Sequence, residues 1–148
     1  MSSEYTVIYE RDLETEISVS KKTNEEARLR RLERWPREAG LSLTLDESGG
    51  NYMQIVKTTA AEYGLELGDK RWDIKREGDK ILAKLEWYLL KSGQKVGTAY
   101  AEFEISLTPK EETENEVKYP AKVKYRLELS NQILAEKASE GFVDLSGF

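Results

Sequence analysis

The sequence predicts an α+β fold: two helices packed on one face of a twisted, mostly antiparallel sheet of about six to eight strands. Three observations point there. Apolar and polar residues alternate at period two along most of the second half of the chain, as strands with one covered face require. In the first half, residues 52–63 repeat instead at helical spacing, and a capping box at Thr23–Glu26 opens another helix. At 148 residues, the chain has the length of one domain able to bury about two-thirds of its unfolded surface. Residues 1–148 are therefore taken as a single domain.

Tyr5 to Tyr9 reads as a strand and Leu13 to Ser20 as its continuation, with Leu13, Ile17 and Val19 inward; Arg11-Asp12 marks a bulge or turn between them. Thr23-Asn24-Glu25-Glu26 fits a capping box with Thr23 as N-cap. The helix it opens should end near Arg34, because Pro36 biases Trp35 away from helical angles. A further turn would stop at Gly40. Leu41, Leu43 and Leu45, alternating with Ser42, Thr44 and Asp46, predict a second strand. After the Ser48-Gly49-Gly50 loop, Asn51 is placed to cap a helix over 52–63, whose stripe is Tyr52, Ile55, Val56, Thr59, Ala60 and Tyr63. Gly64 follows at the left-handed C-terminal position.

Arg71 to Arg76 predicts a short strand, and Glu77-Gly78-Asp79 a turn. Ile81, Ala83, Leu85, Trp87 and Leu89 share one face of the next strand, and Gly97, Ala99, Ala101, Phe103, Ile105 and Leu107 one face of another. The odd positions stay together only if the hairpin loop has an odd number of residues. The expectation is a three-residue loop ending at Gly93, with Trp87 opposite Gly97 and Ile81 opposite Phe103. Residues 108–116 are acidic and poor in apolar groups and read as a mobile loop. Val117, Tyr119, Ala121, Val123, Tyr125, Leu127 and Leu129 alternate along a long strand. Gln132 to Lys137 is expected to pair back on it through Ser130-Asn131, with one helical turn as the alternative, and Gly141 to Leu145 to add a last strand.

Composition narrows the chemistry. There are 23 Lys and Arg against 28 Asp and Glu, a net charge of -5, and neither His nor Cys. Zinc fingers, His-ligated metals, Ser-His and Cys-His nucleophiles, haem ligation and disulfide scaffolds are excluded together. No metal and no cofactor is expected. The 22 Glu and 14 Lys against 3 Gln match the pattern of proteins from hot environments. No apolar run approaches the ~18 residues of a membrane span, and the first residues lack the basic and apolar regions of a signal peptide. The expectation is a cytoplasmic protein with no membrane partner.

Six clusters are candidates for function. Arg30, Arg34 and Arg37, spaced i, i+4, i+7 beside Arg28 and Arg31, form a stripe that would suit phosphates. The opposite-sign pairs Glu26–Arg30, Glu33–Arg37 and Arg34–Glu38, each worth about 0.2–0.5 kcal/mol, also explain it as a solvated face. Lys118, Lys122, Lys124 and Arg126 project from one strand face, where Tyr88 or Tyr100 would supply stacking for a single strand. Glu102 and Glu104 would neutralise that stripe from a neighbouring strand. Those two carboxylates, about 7 Å apart, suit the spacing of an inverting glycosidase pair, but surrounding lysines would hold their pKa values down. Gly49-Gly50 lacks any phosphate-loop pattern. Small residues Gly97, Ala99 and Ala101 opposite Trp87 leave space for a helix or for an apolar ligand.

Leu82, Tyr88 and Leu90 interrupt the polar face of the central hairpin and, with Trp35, make the leading partner-binding candidate. The leading expectation is a non-enzymatic protein-protein interaction or assembly module, binding another protein chain or a second copy of itself. Viral and mobile-element proteins of thermophiles include such modules. Single-stranded nucleic-acid binding through Arg30, Arg34, Arg37, Lys118, Lys122, Lys124 and Arg126 is the alternative. Carriage of a small apolar ligand is the second.

Overall fold

The period-two alternation builds one antiparallel sheet with a single apolar face. In the computed structural model, which describes residues 4–146, the chain runs β1 (Tyr5–Ser20), α1 (Glu25–Ala39), α2 (Tyr52–Glu62), β2 (Glu66–Glu77), β3 (Lys80–Lys91), β4 (Gln94–Ser106), β5 (Glu111–Glu112), β6 (Glu116–Ser130) and α3 (Asn131–Ser146). The order across the sheet is β1-β6-β4-β3-β2, with the short β5 also on β6. The fold is α+β, with three helices rather than two. No helix among the described residues is long and apolar enough to cross a membrane.

All three helices cover the same face. The odd-numbered residues Ile81 to Leu89, Ala99 to Ile105 and Val117 to Leu129 are buried there. Leu32 and Trp35 from α1, Tyr52, Val56 and Ala60 from α2 and Ile133 from α3 pack onto them. Tyr52 stacks on Tyr125 with ring centroids 4.5 Å apart, and Phe103 meets Trp35 and Tyr125 edge-on at 5.9 and 6.3 Å. Such aromatic pairs add about 0.5–1.5 kcal/mol beyond the area they bury. The Tyr52 hydroxyl donates to the Arg126 carbonyl at 2.7 Å and that of Tyr125 to the Gly40 carbonyl, so neither buried phenol is orphaned. Burial raises both of their pKa values.

Several local expectations change. Asn24, not Thr23, caps α1 by accepting from the Ala27 N–H at 2.8 Å, while the Thr23 hydroxyl donates to the Ser20 carbonyl. The helix continues through Pro36 to Ala39 instead of ending near Arg34. Pro36 removes one intrahelical donor. Burial of Leu32 and Pro36 outweighs that loss, and the Gly40 N–H closes the turn on the Pro36 carbonyl at 3.0 Å. Leu41, Leu43 and Leu45 point inward but form no strand beyond one bridge, Thr44 to Asn51. Asp46 ends the run by accepting from the N–H groups of Ser48 and Gly50 at 3.0 and 3.1 Å.

β1 is one strand whose register shifts at Ile8 rather than at Arg11-Asp12, and β2 starts at Glu66 rather than Arg71. The β3–β4 turn has two residues, Ser92 and Gly93, at φ 52° and 79°, a pair of left-handed residues that matches the twist of a hairpin. The additional residue is Val96, bulged between Lys95 and Gly97. Trp87 therefore faces Ala99, and Ile81 faces Ile105, instead of Gly97 and Phe103. The odd positions do stay on one face, but a bulge inside the strand keeps them there, not the loop.

Residues 131–146 are helical, so neither the hairpin at 132–137 nor a strand at 141–145 forms. Contacts made elsewhere hold α3: Ile133 is buried, Lys91 pairs with Glu136 at 2.9 Å, and Lys137 donates to the Glu62 carbonyl at the end of α2. Within 108–116, β5 sets Glu111 opposite Lys118 and Glu112 opposite Val117.

Candidate interaction surface

With every helix on the inner face, the opposite face of the sheet is left open, and register decides what it displays. Asp73, Lys84, Glu102, Lys124 and Asp12 lie side by side across β2, β3, β4, β6 and β1. The adjacent rows read Lys75, Leu82, Glu104, Lys122, Glu14 and Arg71, Glu86, Tyr100, Arg126, Glu10. Acid faces base at most steps, so the surface is a lattice of cross-strand charge pairs. The Lys80 ammonium, 2.9 Å from Glu104, holds that carboxyl below its usual pKa range, and Lys110 does the same to Glu16. Glu104 is thereby held ionised as the partner of Lys80, which suits a charge pair rather than a proton donor.

One end of this face is different. The bulges at Ile8 and Val96 each insert one residue, so Tyr5, Val7 and Lys95 emerge on the outer face although their odd numbers would place them inside. Lys95 stands opposite Leu90 and joins Tyr5 to Tyr88, while Val7 lies two residues along β1 from Tyr5, with Glu128 and Thr98 between it and Tyr88. The Lys95 ammonium lies 5.0 Å from the Tyr88 ring centre and 5.8 Å from that of Tyr5, and the Arg71 guanidinium covers Tyr88 at 5.1 Å. Val7, 44% exposed, is the most exposed large hydrophobic side chain among the described residues. Thr98, paired with Tyr88, is buried with no partner for its hydroxyl among the described residues.

The sequence candidates are distributed unequally. Tyr88 and Leu90 belong to this corner. Leu82 lies on the same face but about 20 Å along β3, beyond Lys84 and Glu86. Trp35 is on the other side of the sheet, edge-on to Phe103, as part of the core. Tyr5, Val7 and Lys95 escaped the sequence reading because period-two counting cannot see a bulge.

The proposed nucleic-acid residues are also divided. Arg30, Arg34 and Arg37 are exposed on α1, on the helical side, whereas Lys118, Lys122, Lys124 and Arg126 belong to the open face. Of the pairs expected on α1, Arg34–Glu38 forms at 4.0 Å, and Glu33 turns instead to Arg76 of β2 at 2.7 Å. Lys122 and Lys124 each sit between two acids, and Lys118 pairs with Glu111 at 3.7 Å. A recess of the open face, about 790 Å³, is lined by Glu14, Glu16 and Glu104 as well as Lys80, Lys110 and Lys122. The space over Gly97 is taken: a Cβ there would lie 2.6 Å from Leu129 Cδ2. Comparison of the chain with protein-family models, curated proteins and solved structures returned no match.

Proposed function

We propose that the protein is a non-enzymatic interaction or assembly module that seats another protein chain on the corner formed by Tyr5, Val7, Tyr88 and Leu90. The observation that supports this reading is the outer end of the sheet, where Lys95 joins Tyr5 to Tyr88 and Val7, the most exposed large hydrophobic side chain among the described residues, follows two residues from Tyr5 on a face no helix covers. Tyr5 and Tyr88 are partly exposed on this face with Arg71 over Tyr88, and tyrosine and arginine are among the residues enriched at protein interfaces. A cytoplasmic protein of a virus or mobile element is part of the same proposal, and the Glu and Lys enrichment supports a heat-adapted source.

Single-stranded nucleic acid is the weaker reading. Tyr100 and Tyr88 do share the open face with the basic stripe, and Arg126 covers Tyr100 at 4.5 Å. The acids on both sides of Lys122 and Lys124 leave little net positive field for a phosphate chain. Carriage of an apolar ligand has less support again, because Leu129, Tyr52 and Tyr125 already fill the inner face.

The test is capture from nuclease-treated lysate at low and high salt, run with wild type, Val7→Glu/Tyr88→Glu and Lys122→Glu/Lys124→Glu. A protein held through high salt, lost with the first variant and kept with the second, is the expected result. Nucleic acid recovered only from untreated lysate at low salt, and lost with the lysine variant, would move the site to the basic stripe.

A further inference from the structure

The edge strand β1 carries a second surface, independent of the Tyr88 corner. Among the described residues β1 pairs only with β6, and its other side is the border of the sheet. The ladder can be phased. The Lys21 N–H bonds the Asn115 carbonyl at 2.9 Å, continuing the β1–β6 register. Bonded pairs recur at every second residue of an antiparallel ladder, so the odd residues after the bulge bond β6. The even residues Glu10, Asp12 and Glu14 then turn their N–H and C=O groups to the open border, while their carboxylates stand on the outer face.

Charge is sorted by strand on this side of the sheet. At the outer positions β4 offers Glu102 and Glu104, β6 Lys122, Lys124 and Arg126, and β1 Glu10, Asp12 and Glu14. Glu102, Lys122 and Lys124 have opposite charge on both sides, whereas the β1 acids have it on one side only. At the end of the column Glu16 faces Pro120 instead of a base, and Lys110 reaches it from the β5 side of β6 at 2.9 Å, so the border side of the column is left without a cation of its own.

We infer that β1 takes up an extended, basic segment of another polypeptide as an added strand, with Lys or Arg at every second residue beside Glu10, Asp12 and Glu14. The main-chain ladder binds the segment and the acids select it. A second copy of β1 is the wrong occupant. Two-fold antiparallel pairing sets even residues against even residues, so acid would meet acid at every register centred on this stretch. The β2 border offers no such selection, because Arg71, Asp73 and Lys75 alternate in sign and a bulge interrupts it before Lys70.

The test uses the full chain and a fluorescent peptide alternating Lys with Thr, with its Glu-for-Lys counterpart as control, followed by anisotropy at low salt and by amide exchange. The Lys peptide should bind, the Glu peptide should not, and the Glu10, Asp12 and Glu14 amides should gain protection. Asp12→Pro removes one border N–H at a position where an edge strand tolerates Pro. Asp12→Asn/Glu14→Gln removes charge at constant shape and stands if the Pro variant fails to fold. Each should weaken binding about tenfold or more, while Lys57→Glu, exposed on α2 on the helical side, leaves it unchanged. Failure of the Lys peptide to bind, equal binding to the Asn/Gln variant, or protection confined to β2 would each overturn the inference.

Discussion

Phe103 and Glu102 are neighbours on β4 and live under different rules. The Phe103 ring touches Trp35, Trp72 and Tyr125 at centroid distances of 5.9, 5.9 and 6.3 Å. Glu102 stands in solvent between Lys84 and Lys124. The inner face is specific in shape and the outer face only in sign. If β6 slid two residues along β4, Glu102 would still meet a base, Lys122 or Arg126, but Gly97 would lose its fit against Leu129. Register is therefore set by the packed face, and the open face is free to use charge for recognition.

Phe103→Ala tests the packed side most severely. It removes a side chain only 2% exposed that links α1 to the sheet. Truncation at such a site costs about 3–5 kcal/mol, read as a lower urea midpoint. Glu102→Ala, one residue away, should change the same midpoint by less than about 0.5 kcal/mol. Equal effects from the two would erase the distinction between the faces.

Gly97→Ala sharpens the claim about register. A Cβ at that position would meet Leu129 Cδ2 at 2.6 Å and the Glu128 carbonyl oxygen at 2.7 Å. The side chain can move aside, but the neighbouring strand's backbone cannot without loosening the ladder. We expect a loss of about 1–3 kcal/mol, with faster amide exchange along β4 and β6. A neutral outcome would mean that the strands have room to shift and that the small residue does not set the register.

The division between faces was legible in the sequence, because seven alternating positions from Val117 to Leu129 can point only one way. What was not legible depended on single residues. Ile8 and Val96 are bulged, each reverses the parity of what precedes it, and that is how Tyr5, Val7 and Lys95 reached the outer corner unannounced. Pro36 argued locally for a helix end, but burial of the turn around it prevailed. Leu41 to Leu45 alternated correctly for want of nothing but a partner strand. Ile133 and Leu134 form too short an apolar run to separate strand from helix, and contacts with Lys91 and Glu62 decided for helix. Of the candidate site, Tyr88 and Leu90 were visible because β3 carries no bulge between them and the core positions used for phasing.

Opposite ends of the pH scale should separate the two faces, with the smallest effects of the three tests. Glu16 and Glu104 have pKa values lowered by hydrogen bonds from Lys110 and Lys80. A carboxyl whose folded pKa lies below its unfolded one stabilises the fold above the unfolded value, about pH 4, and loses that contribution as pH falls through the folded value. Tm should therefore hold from neutrality down to about pH 5 and decline below about pH 4. Both groups are exposed, so salt should shrink the decline, and Lys80→Ala/Lys110→Ala should flatten it. Tyr52 and Tyr125 are shifted the other way, upward, by burial. The neutral phenols stabilise the fold fully below the unfolded tyrosine pKa, about 10, and the contribution drains away as pH rises beyond it. Exposed lysine pairs weaken in the same range, but salt screens those and leaves the buried phenols untouched. An alkaline decline that survives high salt and is reduced in Tyr52→Phe/Tyr125→Phe would belong to the packed face. An alkaline decline abolished by salt would assign it to the charge lattice instead, and the inner face would then be insensitive to pH at both ends.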